Sequence, residues 1–180
     1  MNNFEVSEVL STMELLVDTR EQATPKAIQR YKTFGVPYSR ATLGYGDYTA
    51  NFVINGKPLY DTSKAITPMC IVERKMNLDE LAMCFTRDRD RFEKEFQRAI
   101  ENKAFIHLIV EDGSYEKILG NKYKSKFNSK AFMASLNAWE RRYNIHVHFC
   151  SSMTSGMLIK DLLYRDMKER LEKGDFDIGT

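Results

Sequence analysis

Short apolar runs alternate with longer amphipathic segments along the chain. Four runs have the length and the β-branched content of buried strands, at residues 13–18, 69–72, 104–112 and 145–150. Apolar residues recur at helical spacing in three longer segments, at residues 88–102, 129–143 and 151–172. Strands separated by helices predict an α/β fold with one central mixed β-sheet flanked by helices.

Turn residues divide the segment between the first two of these strands. Residues 36–43 and 47–54 alternate apolar or aromatic with polar positions, and a tight turn at residues 44–46 is predicted to join them. Residues 55–68 start with an Asn-Gly hairpin signal. They are predicted to be an excursion from the sheet.

Composition limits the domain organisation and the class of partner. The 180 residues, 43% of them hydrophobic, suffice for one core, which we place at residues 13–173, between an N-terminal extension (1–12) and a C-terminal tail (174–180). The formal net charge of +2 excludes a polyanion-binding field over the whole surface. Any contact with nucleic acid must therefore come from local basic clusters.

Compartment signals are those of a cytosolic chain. The N-terminal residues lack the basic and apolar regions of a leader, and no run of about 18 apolar residues could span a membrane. Cys70, Cys84 and Cys150 are odd in number and lack metal-ligand spacing, as expected of reduced thiols. We expect a soluble protein without membrane contact, cytoplasmic in a bacterial or phage-infected cell, or nuclear in a eukaryote.

Acidic residues stand at the ends of several predicted strands, where loops on a rigid sheet commonly hold functional sites. These residues are Asp18, Asp47, Glu73, Glu111 and Asp112. Residues i and i+2 of a strand point to the same face, so Glu73 and Lys75 project together while Arg74 points away.

This arrangement favours a magnesium site. Mg²⁺ prefers oxygen ligands, keeps several waters and is usually held by one or two carboxylates together with substrate phosphates. Asp47 and Glu73 would supply the carboxylates for hydrolysis of a phosphodiester, while Lys75 would orient the water or stabilise the charge of the transition state. Charged strand ends are also common as solvated termini, so an acid-x-Lys pattern alone does not decide the function.

The wider motif resembles that of a known family. Gly46-Asp47, a gap, Glu73-Arg74-Lys75, three residues and Asp79 resemble the signature of the XPF-type structure-specific endonucleases. The segments LLVDTRE (15–21), RDRDRFEKEFQRA (87–99) and AFIHLIVED (104–112) are similar to further segments of that family's nuclease domain. The resemblance covers roughly residues 13–170 in the expected order.

The resemblance implies a restriction-endonuclease-like core and a Mg²⁺-dependent endonuclease, with Mn²⁺ as a substitute. Its substrate would be branched DNA such as flaps, forks and junctions, in recombination, repair or phage replication. Roles carried over to matching residues make Asp47, Glu73 and Asp18 metal ligands and catalytic residues, and Lys75 catalytic. Glu21, Arg74 and Asp79 would complete the cluster.

Two departures from the family pattern concern specificity. The segment between Tyr48 and Glu73 is longer than the family's short hairpin, and no tandem helix-hairpin-helix module follows residue 170. We therefore expect a stand-alone nuclease domain of bacterial or phage type, whose branch specificity and autonomous binding to DNA are open.

Two basic clusters are candidate DNA contacts. Arg89 and Arg91 alternate with acids at the start of a helix, where arginines clamp phosphates or are simply solvated. The second cluster is a lysine stretch interleaved with Tyr123 and Phe127, which resembles a backbone-binding surface with stacking aromatics or else forms a solvated loop. Its lysines are Lys122, Lys124, Lys126 and Lys130.

Other conspicuous residues are expected to be structural. His107, His146 and His148 have no spaced partners that would form a zinc set. The apolar stripe of the last helix predicts either core packing or an interface with a second copy or a partner protein. That stripe comprises Met153, Met157, Leu158, Leu162 and Leu163.

Alternatives to a branch-specific nuclease stay open. One is a nuclease or nickase without branch preference, and another is a non-catalytic DNA-binding or partner-recruiting module with the same fold. Inactive copies usually lose acids, whereas every acidic and basic motif position is kept here, which favours the enzyme.

Overall fold

The computed structural model describes residues 3–176, so residues 1–2 of the predicted extension and 177–180 of the predicted tail lie outside the described residues. The strands are β1 (Glu14–Asp18), β2 (Tyr38–Ala41), β3 (Tyr48–Asn51), β4 (Val53–Ile54), β5 (Lys57–Pro58), β6 (Cys70–Lys75), β7 (Phe105–Glu111) and β8 (Ile145–Cys150). The helices are α1 (Asn3–Ser11), α2 (Pro25–Tyr31), α3 (Leu78–Phe85), α4 (Arg89–Glu101), α5 (Tyr115–Leu119), α6 (Ser129–Tyr143) and α7 (Ser155–Lys173).

The main sheet has the strand order β2-β1-β3-β6-β7-β8. β1 and β2 are parallel, as are β6, β7 and β8, whereas β3 is antiparallel to both of its neighbours. This confirms the predicted central mixed sheet. β6 and β7 are buried almost throughout because helices cover both faces of the sheet.

Two apolar layers cover the sheet. On one face, α3, α4 and α6 pack around Trp139, whose ring centroid lies 4.3 Å from that of Phe85 and 5.1 Å from that of Phe96. On the other face, α1, α2 and α7 pack against the opposite side chains of β1, β6 and β7. Among residues 3–176, no helix is long and apolar enough to cross a membrane.

The two strands predicted to be joined by a tight turn at residues 44–46 do not pair with each other. β1 lies between β2 and β3, so residues 42–47 connect two strands that are not neighbours. The cause is the apolar run of β1, which is buried almost throughout and therefore needs a partner strand on each side. The more polar β2 takes the edge of the sheet instead.

Within the segment predicted as an N-terminal extension, α1 packs into the core. Val6, Val9 and Leu10 of α1 are buried in the same layer as α7. Their helical spacing explains why this helix packs there. The excursion after β3 is confirmed as a β4–β5 hairpin, in which Asn55 and Gly56 have φ values of 53° and 73°.

The histidines occupy the α7-facing side of β7 and β8. His107 Nδ1 lies 2.9 Å from His148 Nε2, and the His146 ring stacks on Phe105 with centroids 4.4 Å apart. These partners support the structural role expected for the histidines.

Candidate active site

Strand pairing brings the two halves of the motif together. β3 pairs with β6 through Tyr48 and Val72, so Asp47 lies beside the end of β6. The Asp47 amide donates to the Val72 carbonyl over 3.0 Å, and the Arg74 amide donates to Asp47 Oδ2 over 2.8 Å. Asp47 is therefore fixed through both its backbone and its carboxylate.

Gly46 is required by the turn that presents Asp47. Its φ is +76°, a left-handed conformation that favours glycine. A Cβ at this position would lie 2.8 Å from Ile71 Cβ, closer than packed carbons approach. The Gly-Asp sequence therefore reflects close packing of the turn against β6.

Glu73 and Lys75 point to the same side of β6, as predicted from the strand period. Lys75 Nζ donates to Glu73 Oε1 over 2.5 Å and lies 4.0 Å from the centroid of the Phe92 ring. Both side chains border a polar cavity of about 380 Å³ beyond the strand ends. Its lining residues are Arg20, Glu21, Gln22, Asp47, Glu73, Arg74, Lys75, Glu80, Arg91, Phe92 and Glu95.

Burial disfavours the ionised form of both carboxylates. Burial and then the charge of Glu73 raise the pKa of Asp47, and burial raises the pKa of Glu73. Burial opposes the charged form of Lys75, but Glu73, Cys84 and Asp47 together raise its pKa, so the ammonium stays protonated. Additional positive charge beside Asp47 and Glu73 would favour the ionised form of both.

The donor set fits a hydrated hard cation. Among residues 3–176, no group of three or more His, Cys, Asp or Glu side chains is arranged to hold a metal ion. Two carboxylates nevertheless suffice for Mg²⁺, which keeps several waters and binds substrate phosphates. Only Oδ2 of Asp47 receives the Arg74 amide, and each carboxylate has about four acceptor positions, so capacity for a cation remains.

Arg74 points to the opposite side of β6, as predicted, and enters a buried charge network. Its Nη1 donates to Glu111 Oε2 and its Nη2 to Glu21 Oε1, both over 3.2 Å. Arg30 Nε donates to Glu111 Oε1 over 3.0 Å, and Tyr48 Oη donates to Glu21 Oε1 over 3.0 Å. The network connects β6 to α2, β3 and β7.

Asp18 is not among the residues that line the cavity. Its carboxylate accepts from the Leu43 amide over 2.8 Å and from the Arg20 amide and Nε over 2.7 Å each. Arg20 itself lines the cavity. Asp18 thus ties the end of β1 to the 42–47 connection and orients a cationic side chain.

Asp79 also lies outside the cavity lining. Its Oδ1 accepts from the Lys124 and Ser125 amides, each over 2.7 Å. The carboxylate therefore ties the start of α3, just after the Glu-Arg-Lys triplet, to the lysine stretch.

The predicted basic residues divide into three positions. Arg91 lines the cavity, with its Cζ 4.7 Å from the Phe92 ring centroid, whereas Arg89 Nε donates to Glu93 over 2.9 Å. Outside the cavity lining, Lys122, Lys124 and Lys126 are exposed on the loop before α6, and Lys130 is exposed in the first turn of that helix.

Tyr123 and Phe127 are half-buried beside the core. Both rings pack against Phe132, with centroid distances of 5.3 and 5.6 Å. Along this stretch the half-buried rings alternate with exposed lysines.

Several side chains at or beneath the cavity are not predicted from the sequence. Glu80 and Glu95 line it, while Arg30 and Tyr48 lie in the charge network. Glu80 follows Asn77 by three residues, which resembles a helix capping box and predicts a helix start, not a cavity residue. Arg30 sits on α2 with no local sequence signal, since its partner Glu111 is 81 positions away.

A mixed sheet flanked by helices, with an acid-and-lysine cavity at its strand ends, defines an α/β domain with a candidate active site. The ERCC4 domain pattern matches residues 17–161, and the chain belongs to this family. Family membership confirms the XPF-type resemblance and supports a DNA nuclease. No curated protein has a significant sequence match.

Solved structures support the same fold. XPF from Aeropyrum pernix is 19% identical, with a TM-score of 0.59 over 90% of this chain and 69% of that one. XPF from Aeropyrum pernix in complex with DNA is 21% identical, with a TM-score of 0.57 over 88% of this chain and 66% of that one.

Proposed function

We propose that the protein is a divalent-metal-dependent DNA endonuclease that hydrolyses phosphodiester bonds in branched DNA. The observation that carries the proposal is the meeting of Asp47, Glu73 and Lys75 at one cavity beyond the strand ends of an ERCC4 domain. Flaps, forks and junctions are the expected substrates, in recombination, repair or phage replication.

Asp47 and Glu73 are assigned to the cation, with Mg²⁺ the expected ion and Mn²⁺ a substitute. A divalent cation bound there supplies Lewis-acid chemistry at a phosphoryl oxygen. Asp18, predicted as a third ligand, is assigned to this centre through Arg20, which its carboxylate holds at the cavity wall.

Lys75 stabilises charge on the reacting phosphate. An ammonium has three N–H donors, of which one goes to Glu73 in the structure. The remaining donors can reach a phosphoryl oxygen or the attacking water. Because Glu73 keeps the ammonium protonated, its positive charge is available as negative charge develops in the transition state.

DNA is proposed to run from the cavity along the exposed lysines. Arg91 at the cavity and Arg89 near it would contact phosphates, followed by Lys122, Lys124 and Lys126. The solved complex of a structural relative with DNA supports this kind of partner.

Met153 and Met157 are 71% and 52% exposed, which supports contact with a second copy or a partner protein.

Cleavage of labelled flap, fork, four-way junction and linear duplex DNA tests this function, with Mg²⁺ or Mn²⁺ compared with EDTA. We expect metal-dependent cutting that is faster on branched substrates. Equal cutting of linear duplex would contradict the branch preference alone. Binding of DNA by folded protein without cutting in either metal would favour a non-catalytic module.

A further inference from the structure

Glu95 joins α4 to the turn that presents Asp47. Its Oε1 accepts a hydrogen bond from the Gly46 amide over 2.9 Å. α4 is anchored in the core on the same side by Phe92 and Phe96, which are 5% and 1% exposed. The carboxylate therefore projects from a rigid helix.

The Gly46 peptide controls the direction of the neighbouring Asp47. Ile71 leaves no room for a Cβ at Gly46, so the turn lies directly against β6. Glu95 holds the preceding amide while Val72 holds the Asp47 amide over 3.0 Å. Consecutive amides are thus fixed by partners from two different elements.

We propose that Glu95 is a positioning residue that fixes the Gly46 peptide and so aims the Asp47 carboxylate at the bound cation. This inference rests on the proposed function, because it assumes that Asp47 holds the cation. Glu95 acts through the reach of its oxygen, not as a metal ligand. If Glu95 acted through its negative charge instead, a substitution that keeps the charge but shortens the side chain would retain Mn²⁺ binding. A substitution that keeps the length but removes the charge would lose it.

Two substitutions make that separation. Glu95→Gln keeps an acceptor oxygen at the same distance along the side chain but removes the charge, whereas Glu95→Asp keeps the charge but is one methylene shorter. Glu95→Ala removes both. Glu101→Gln is the matched control because Glu101 is exposed on the same helix and is bonded to Gln97.

Mn²⁺ binding without DNA, measured by calorimetry, is the first readout, and hydrogen exchange at the Gly46 amide is the second. We expect Glu95→Asp and Glu95→Ala to weaken Mn²⁺ binding about 10-fold to 100-fold, as for other residues that orient metal ligands. Both should also speed Gly46 exchange. Glu95→Gln should rescue most of the affinity and retain the amide protection.

Loss of affinity in Glu95→Gln would overturn the inference, and wild-type affinity in Glu95→Asp beside that loss would assign Glu95 a charge role instead. Wild-type affinity and exchange in Glu95→Ala would show that the hydrogen bond does not matter. Wild-type protein that neither binds Mn²⁺ nor cuts DNA would refute the proposed function. Gly46 exchange would then still decide whether Glu95 holds the turn.

Discussion

Replacement of Glu111 by glutamine tests the buried charge network beneath the cavity. Glu111 is 1% exposed and accepts from Arg30 Nε over 3.0 Å and from Arg74 Nη1 over 3.2 Å. The substitution keeps the volume and one acceptor oxygen but leaves two buried guanidinium groups with less negative charge. Burying charges without adequate pairing is strongly unfavourable.

The expected loss follows from these contacts. Removing one partner of a buried ion pair costs about 3–5 kcal/mol. Glu21 still lies 3.2 Å from Arg74 and 3.5 Å from Arg30, which reduces the loss. We therefore expect the free energy of unfolding to fall by about 2–4 kcal/mol.

Urea unfolding, followed by the fluorescence of the single tryptophan, Trp139, measures this change, since its ring is 1% exposed in the core. Glu169→Gln is the control, because Glu169 pairs with Arg165 over 3.8 Å on the exposed face of α7 and should contribute little. A loss below about 1 kcal/mol in Glu111→Gln would refute the view that this pair is desolvated and structurally important.

Three further predictions address the turn, the histidines and the lysine loop. Gly46→Ala should lower the free energy of unfolding in urea by about 1–3 kcal/mol because of its φ and the contact with Ile71, and an unchanged value would contradict this. Burial, then His148 and His146, lowers the pKa of His107 to about 3, so between pH 6.5 and 3 the unfolded state binds more protons. The free energy of unfolding, measured by urea titration, should therefore keep the full contribution of His107 above pH 6.5 and lose it progressively toward pH 3. His107→Phe should flatten that pH dependence, and an identical pH profile in the variant would contradict the assignment. Asp79→Ala should weaken DNA binding and lessen its salt dependence in anisotropy titrations, because the Lys124 and Ser125 amides lose the acceptor that holds the lysine loop. Unaltered binding would show that this loop does not contact DNA.

The period of a β-strand was enough to predict which way the charged side chains at the end of β6 point. Alternation along a strand placed Glu73 and Lys75 on one side and Arg74 on the other, and their contacts confirm it. The predicted bounds of α6 and β8 were also correct, since Asn128 caps the helix and Asn144 ends it in a left-handed conformation.

Long-range partners were not predictable in this way. Asp79 bonds to amides 45 and 46 positions away, and Asp18 bonds to an amide 25 positions away, so each carboxylate has a purpose that local sequence does not reveal. In the sequence, Glu95 is one of several polar residues of an amphipathic helix, and only the folded structure brings its carboxylate to the Gly46 amide. The order of β1, β2 and β3 similarly depends on which strand needs two neighbours.

Single-turnover cleavage of a labelled DNA flap in Mg²⁺ by wild type, Asp47→Asn, Lys75→Ala and the Glu101→Gln control tests the central claim most directly. We predict folded variants throughout, cutting by wild type and control, and losses of about 100-fold or more in the Asp47 and Lys75 variants. Cutting at the wild-type rate by both folded variants would contradict the assignment of this cavity as the active site.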